Sequence, residues 1–338
     1  MTAEFASIHA PRAVDELMTE LVAEEETIRL PALAAFFHPQ IDTLPQCATI
    51  AARLNDVNPN ARVLAVVLLG RMGAPAAQDL AATLDKTQPM PVRAAAASAL
   101  ATIGASAVAA TGALCEVLGD KDAPLRTAAA LALSKIGDGA VPALTSLLGQ
   151  APLPVEALLA LAWIGQPAAS AAQHLHRLAP TLTGESRVAC YIAHAGTSGD
   201  IAPSLPVLTQ CYTEGDEATR KMVVEQIGLL RAVGTPATPL LIKALQDTDA
   251  SVRAVAAMGL ARVDAAPSVA IPVLTQCLQD RSPEVQTHAA IALAFWREKA
   301  SSALPALQLL SGSVDAPTSA TARAAIRSIR GETNPPVS

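Results

Sequence analysis

The chain has 338 residues, 51% of them hydrophobic, 2% aromatic and 16% charged, with a formal net charge of −6. Twenty-four Lys and Arg against thirty Asp and Glu, with no basic run, argue against a surface that displaces counterions from nucleic acid. Five scattered cysteines make no disulfide framework, so a reducing compartment, and with it a cytoplasmic location, is expected.

The N-terminal stretch MTAEFASIHAPRAVDELMTELVAEEE is acidic and lacks the apolar centre of a signal peptide. A capping helix is expected over residues 12–24, closing a segment 1–24. A repeat domain is expected over 25–330, followed by a disordered tail over 331–338. Ala94 to Cys115 runs 22 residues without a charge, long enough to span a bilayer. Ser98, Thr102, Gly104 and Gly112 interrupt it, and sister segments carry Arg71 or Lys135 at equivalent places, so the reading is a helix pair with no membrane insertion.

The organising feature is a phrase that returns. Val92–Gly104 reads VRAAAASALATIG, Leu125–Gly137 reads LRTAAALALSKIG and Val252–Asp264 reads VRAVAAMGLARVD. Aligned on their arginine, the copies fall at Arg29, Arg62, Arg93, Arg126, Arg187, Arg220, Arg253 and Arg323, with Glu156 and Gln286 in two further slots. A period near 32 marks stacked supersecondary units. After the arginine, apolar residues recur at three, seven and ten positions (Ala96, Leu100, Ile103; Ala129, Leu133, Ile136; Ala256, Leu260, Val263), one face of a helix A. Gly104 and Gly137 supply its stop. Helix B opens on proline, at Pro45, Pro142, Pro206, Pro239, Pro272 and Pro305, where the missing N–H costs nothing. Leu144 and Leu148, Leu241 and Leu245, Leu274 and Leu278 follow as its buried face.

The pattern D-x-x-[VL]-R-x-x-A-A-x-A-L-x-x-I-G, then P-x-L-x-x-L-L, resembles HEAT repeats, in particular the short HEAT-like repeats of phycobilin lyases and related bacterial proteins. The resemblance implies an all-α fold: a right-handed α-α superhelix of about nine to ten helical hairpins. Asp122 with Arg126, Asp216 with Arg220 and Asp249 with Arg253 fit the family's Asp/Arg ladder. An anion-binding stripe is conceivable on such a ladder. The expected role is structural, each arginine bonding the aspartate four residues before it and loop carbonyls of the adjacent unit.

Chemistry is sparse. No phosphate loop, G-x-S-x-G, HExxH or paired-carboxylate motif is present, and no cofactor is expected. In register, Cys47 falls on a Leu144-like slot, Cys211 and Cys277 on Leu147-like slots, and Cys115 on an outer one. Cys190 and His194, four apart in ESRVACYIAHAGTSG, share a helical face, and Cys211 of the following helix B could join them in a thiophilic metal site. A locally polar core, with His194 bonded to Tyr212 or a carbonyl, is the competing reading. His174 and His176 are expected at the rim, and Trp163 and Trp296 in the core. Glu156 reverses the ladder's charge and marks a kink, a partner contact or a solvated position.

The outer side of helix B, four and seven residues after its proline, carries Gln210 and Thr213, Lys243 and Gln246, Gln276 and Gln279. In solenoids of this type helix B lines the concave face. A neutral, amide-rich face suits a protein or an extended peptide better than a phosphate. The leading expectation is therefore a non-enzymatic scaffold binding a protein partner on this face. The family resemblance implies an alternative, a bilin lyase or a chaperone for a phycobiliprotein. A third is an adaptor for an iron–sulfur scaffold protein through Cys190, His194 and Cys211.

Overall fold

The structure, a computed structural model, describes Glu20 and residues 47–332. The expected cap over 1–24 (Glu20 apart), the rung at Arg29, Pro45 and the tail beyond Glu332 lie outside the described residues, as does the side chain of Cys47. The described residues hold α-helices and short 3-10 turns and no strand. Packing divides the chain after Pro167 into two compact units.

The first unit holds α1 (Cys47–Ala52), α2 (Pro59–Met72), α3 (Ala74–Thr83), α4 (Met90–Ile103), α5 (Thr111–Val117), α6 (Ala123–Ile136), α7 (Val141–Leu147) and α8 (Val155–Ile164). The second holds α9 (Ala172–Leu178), α10 (Gly184–Ser198), α11 (Leu205–Glu214), α12 (Glu217–Leu229) and α13 (Thr238–Ala244). It continues through α14 (Ala250–Arg262), α15 (Pro267–Cys277), α16 (Pro283–Phe295), α17 (Leu304–Leu310) and α18 (Ala316–Arg330). Even-numbered helices carry the helix A phrase and odd-numbered ones the helix B phrase.

Helix A stacks on helix A in register: α2, α4, α6 and α8 in the first unit, and α10, α12, α14, α16 and α18 in the second. Small side chains permit this. Gly228 of α12 lies so close to α14 that an added Cβ would stand 3.1 Å from the Gly259 Cα. The expected inward positions are core except Ile103, which is half-buried: Ala96, Leu100, Ala129, Leu133, Ala256, Leu260 and Val263 are fully shielded, and Leu144, Leu241 and Leu274 of helix B likewise. Each buried leucine contributes roughly 2 kcal/mol through lost apolar hydration, so stability is distributed along the stack.

The helix ends are built locally. Asp122, Asp216, Asp249 and Asp315 cap α6, α12, α14 and α18 by accepting backbone N–H groups of the first turn. Gly73, Gly104, Gly137 and Gly165 end helix A with φ of +68° to +77°, a backbone that L side chains resist. In the second unit Arg231, Asp264 and Arg297 take positive φ at that turn. The apolar stretch Met90–Val117 is long enough for a span by composition, yet it is folded back at Gly104 into α4 and α5.

The arginine ladder departs from the expectation. The aspartates four residues before Arg126, Arg220 and Arg253 are spent on helix caps, and Arg93 has Pro89 at that place. Arg93, Arg220 and Arg253 instead bond Asp120, Asp247 and Asp280, each 27 residues ahead in the next hairpin, at 2.8 Å. The carbonyls they hold belong to the loop before their own helix: Arg253 Nη1 donates to Asp247 O at 2.9 Å and Thr248 O at 3.1 Å, and Arg126 to Asp120 O and Lys121 O. The ladder stitches consecutive hairpins together.

Candidate functional site

With helix A committed to its neighbours, chemistry must come from helix B. In the second unit all six expected residues are exposed: Gln210 and Thr213 on α11, Lys243 on α13 with Gln246 in the turn that follows it, and Gln276 on α15 with Gln279 in the turn that follows it. Five of them form a linked surface. Lys243 Nζ lies 3.5 Å from Thr213 Oγ1 and 5.6 Å from the centre of the Tyr212 ring, which joins α11 to α13. Gln246, Gln276 and Gln279 line one cleft of about 190 Å³ between α13 and α15, walled by Ile242, Leu245, Val273 and Cys277. Gln279 also lines a second cleft of about 280 Å³, between α15 and α17, with Leu278, Leu309 and Leu310. Gln210 stands apart, its amide donating to Glu214 at 3.1 and 3.2 Å.

Leu309 was not among the expected residues, although the register that yields Gln210, Lys243 and Gln276 yields it too, four residues after Pro305. It is 81% exposed. The first unit has an equivalent cleft between α3 and α5 of about 580 Å³, lined by Asp85, Lys86 and Glu116. The amide-rich character thus belongs to the second unit.

The charges beneath this face are already satisfied. Burial works against ionisation of Asp280, but Arg253 meets both its oxygens at 2.8 Å and holds its carboxyl below the usual range. Asp247 is the hub. Burial would raise it, yet Arg220, the Asp249 N–H and the Tyr212 hydroxyl hold it down to about 2. Burial, reinforced by Asp247, pushes the Tyr212 hydroxyl up, so this phenol is a fixed donor. The clefts consequently present amides and aliphatic walls beside the paired Asp280, while Lys243, on the adjoining surface, is the exposed cation among the six residues.

The expected metal triad does not form. Cys190 is fully buried and its thiol donates to the Leu175 carbonyl at 3.5 Å, while burial pushes it up to about 12. A metal ligand needs thiolate, and this site opposes one. His194 turns to the rim, its Nδ1 3.3 Å from Ser204 Oγ and its ring 5.1 Å from that of His176. Burial, then His176, lowers its pKa against the pull of Asp200. Tyr212, the other expected partner of His194, bonds Asp247 instead. Among the described residues no three His, Cys, Asp or Glu side chains are grouped to hold a metal ion. Trp296 is buried as expected and Trp163 is half-buried.

Comparison with known proteins agrees with the geometry. A family profile described as HEAT repeats matches residues 92–162 and 238–330. No curated protein sequence matches the chain. Among solved structures, the complex of CpcE and CpcF of phycocyanin lyase from Nostoc is similar, at 22% identity over 70% of this chain and 94% of that one, with a TM-score of 0.45. Kap121p bound to Ste12p is 15% identical over 96% of this chain and 46% of that one, TM-score 0.45. Importin beta is 14% identical over 94% and 52%, TM-score 0.46. The chain therefore spans about half the length of these two proteins. At these identities and scores, none of the likenesses bears on function.

Proposed function

For this chain of HEAT repeats, we propose a non-enzymatic scaffold role: it binds a protein partner along the helix B face of α11, α13 and α15. The observation that carries this reading is the continuity of that face. Thr213 meets Lys243, Gln246 shares a cleft with Gln276 and Gln279, and Gln279 opens onto the next cleft with Leu309. Amides and hydroxyls above aliphatic walls are the composition of a surface that reads backbone and side chains of another polypeptide. The ladder carboxylates Asp247 and Asp280 are consumed by structure.

The test is site-specific photo-crosslinking in native lysate. Crosslinkers at Gln246 and Gln279 should capture the same polypeptide, one at exposed Leu131 of α6 should not, and the double substitution Gln246→Arg with Gln276→Arg should abolish capture. Capture from Leu131 alone, or robust turnover of a small molecule by the purified chain, would overturn the reading.

A further inference from the structure

Four rungs of the ladder close on a carboxylate. Arg93 takes Asp120, Arg126 takes Glu156, Arg220 takes Asp247 and Arg253 takes Asp280, all at 2.7 to 2.8 Å. Each of these arginines also holds a backbone carbonyl. Arg187 occupies the same slot on α10 and does neither. Its Nε is shielded from solvent and donates to no acceptor. Buried donors are almost always paired, so an orphan in an otherwise paired series calls for a reason.

The acid that should close this rung, 27 residues on, is Glu214. Its two oxygens face the Gln210 amide instead, at the exposed end of α11. Asp120, Asp247 and Asp280 each accept the N–H two residues ahead, at 3.0, 2.9 and 2.8 Å. That turn aims the second oxygen at the arginine. Glu214, one methylene longer, makes no such turn and meets Gln210 instead.

We propose that Arg187 is an open rung: it receives one acidic side chain of the protein partner, as Asp247 and Asp280 fill the next two rungs from within. Carboxylate is the ligand class because the four rungs from Arg93, Arg126, Arg220 and Arg253 each hold one, whereas Arg62 and Arg323, with no acid 27 residues on, hold only carbonyl and hydroxyl oxygens; the guanidinium fork matches a carboxylate in two bonds. The place fits, since Glu214, the acid at the register position of this rung, follows directly on Thr213, one of the six face residues. The inference rests on the helix B face being the docking surface.

The experiment uses the full chain and follows the arginine Nε–H resonances by NMR, that of Arg187 being identified by its loss in Arg187→Lys. The probes are a short glutamate-rich peptide, its glutamine counterpart and acetate. The glutamate peptide should shift the Arg187 signal saturably and the glutamine peptide should not. Acetate should need a far higher carboxylate concentration. Arg187→Gln should weaken peptide binding about tenfold or more, with thermal unfolding monitored to show that the variant folds. Glu214→Gln should leave binding intact or tighten it. An Arg187 Nε–H already protected like those of Arg220 and Arg253 in the free protein would mean that Glu214 closes the rung, and would overturn the proposal. So would equal responses to acetate and peptide. If a partner crosslinked through Gln246 binds Arg187→Gln with unchanged affinity, the open rung fails while the docking face stands. If no partner is crosslinked there, the face itself fails.

Discussion

Glu156 stands in the arginine slot of its repeat, yet it does the work of the ladder's acid: its Oε1 accepts Arg126 Nε at 2.7 Å. The position 27 residues beyond Arg126 is Leu153, so the loop has no carboxylate to offer. Charge reversal on α8 restores the pair from the other side. Neither the kink nor the solvated position expected from sequence describes it, for the Glu156 side chain is 14% exposed.

Glu156→Ala should destabilise the fold by about 1 kcal/mol, the scale of a half-buried charged hydrogen bond. Glu156→Arg should cost more, because it sets two guanidinium groups together. Adding Leu153→Asp to Glu156→Arg should recover part of the loss by rebuilding the regular rung. Denaturant unfolding of the three variants measures this, and equal stability of both single variants with wild type would refute it.

Asp247 gives a pH prediction. Its folded pKa, about 2, lies below the ordinary value of 3.8. Its contribution is therefore fully present above about pH 4 and disappears as pH falls through about 2. Asp247→Asn should remove roughly 2 kcal/mol at neutral pH by leaving the Arg220 charge without its carboxylate and only one oxygen for Arg220 and Tyr212 to share. The variant should also show a flatter stability profile between pH 4 and pH 2. Parallel wild-type and variant curves across that window would contradict the assignment.

Two glycines should respond oppositely to alanine. Gly104 ends α4 at φ +68° with no steric obstacle to a Cβ, so Gly104→Ala should cost about 1–3 kcal/mol from backbone strain alone. Gly112 lies within α5 in open space, and Gly112→Ala should stabilise by about 0.5–1 kcal/mol. Thermal melts compare them directly.

Thiol reactivity follows burial. Cys190 is raised to about 12, and Cys115 and Cys277 to about 11. At pH 8 their alkylation by iodoacetamide should run far below that of a free thiol and accelerate on adding denaturant. Site-resolved mass spectrometry reads this out, and rapid labelling of Cys190 in the native protein would contradict its placement.

The failed metal triad shows where local reading stops. Residues four apart on a helix are rotated by about 40° from one another. On α10 that suffices to put Cys190 against the Leu175 carbonyl in the core and His194 at the rim beside His176. Sharing a face is a property of one helix, whereas convergence on a point depends on where the neighbouring helices stand.

Periodicity and end signals by themselves determined the helices, their buried slots and the exposed row of Gln210, Lys243 and Gln276. These depend on interactions within about ten residues, which a repeated phrase spells out. Tertiary packing alone decided that Arg220 meets Asp247 rather than Asp216, that Gln246 and Gln279 share a cleft, and that Arg187 is left without its acid. The reason is reach. An aspartate at a helix start satisfies the orphan N–H groups beside it, and a guanidinium at the end of a long side chain takes the carboxylate that stacking brings to it from the next hairpin.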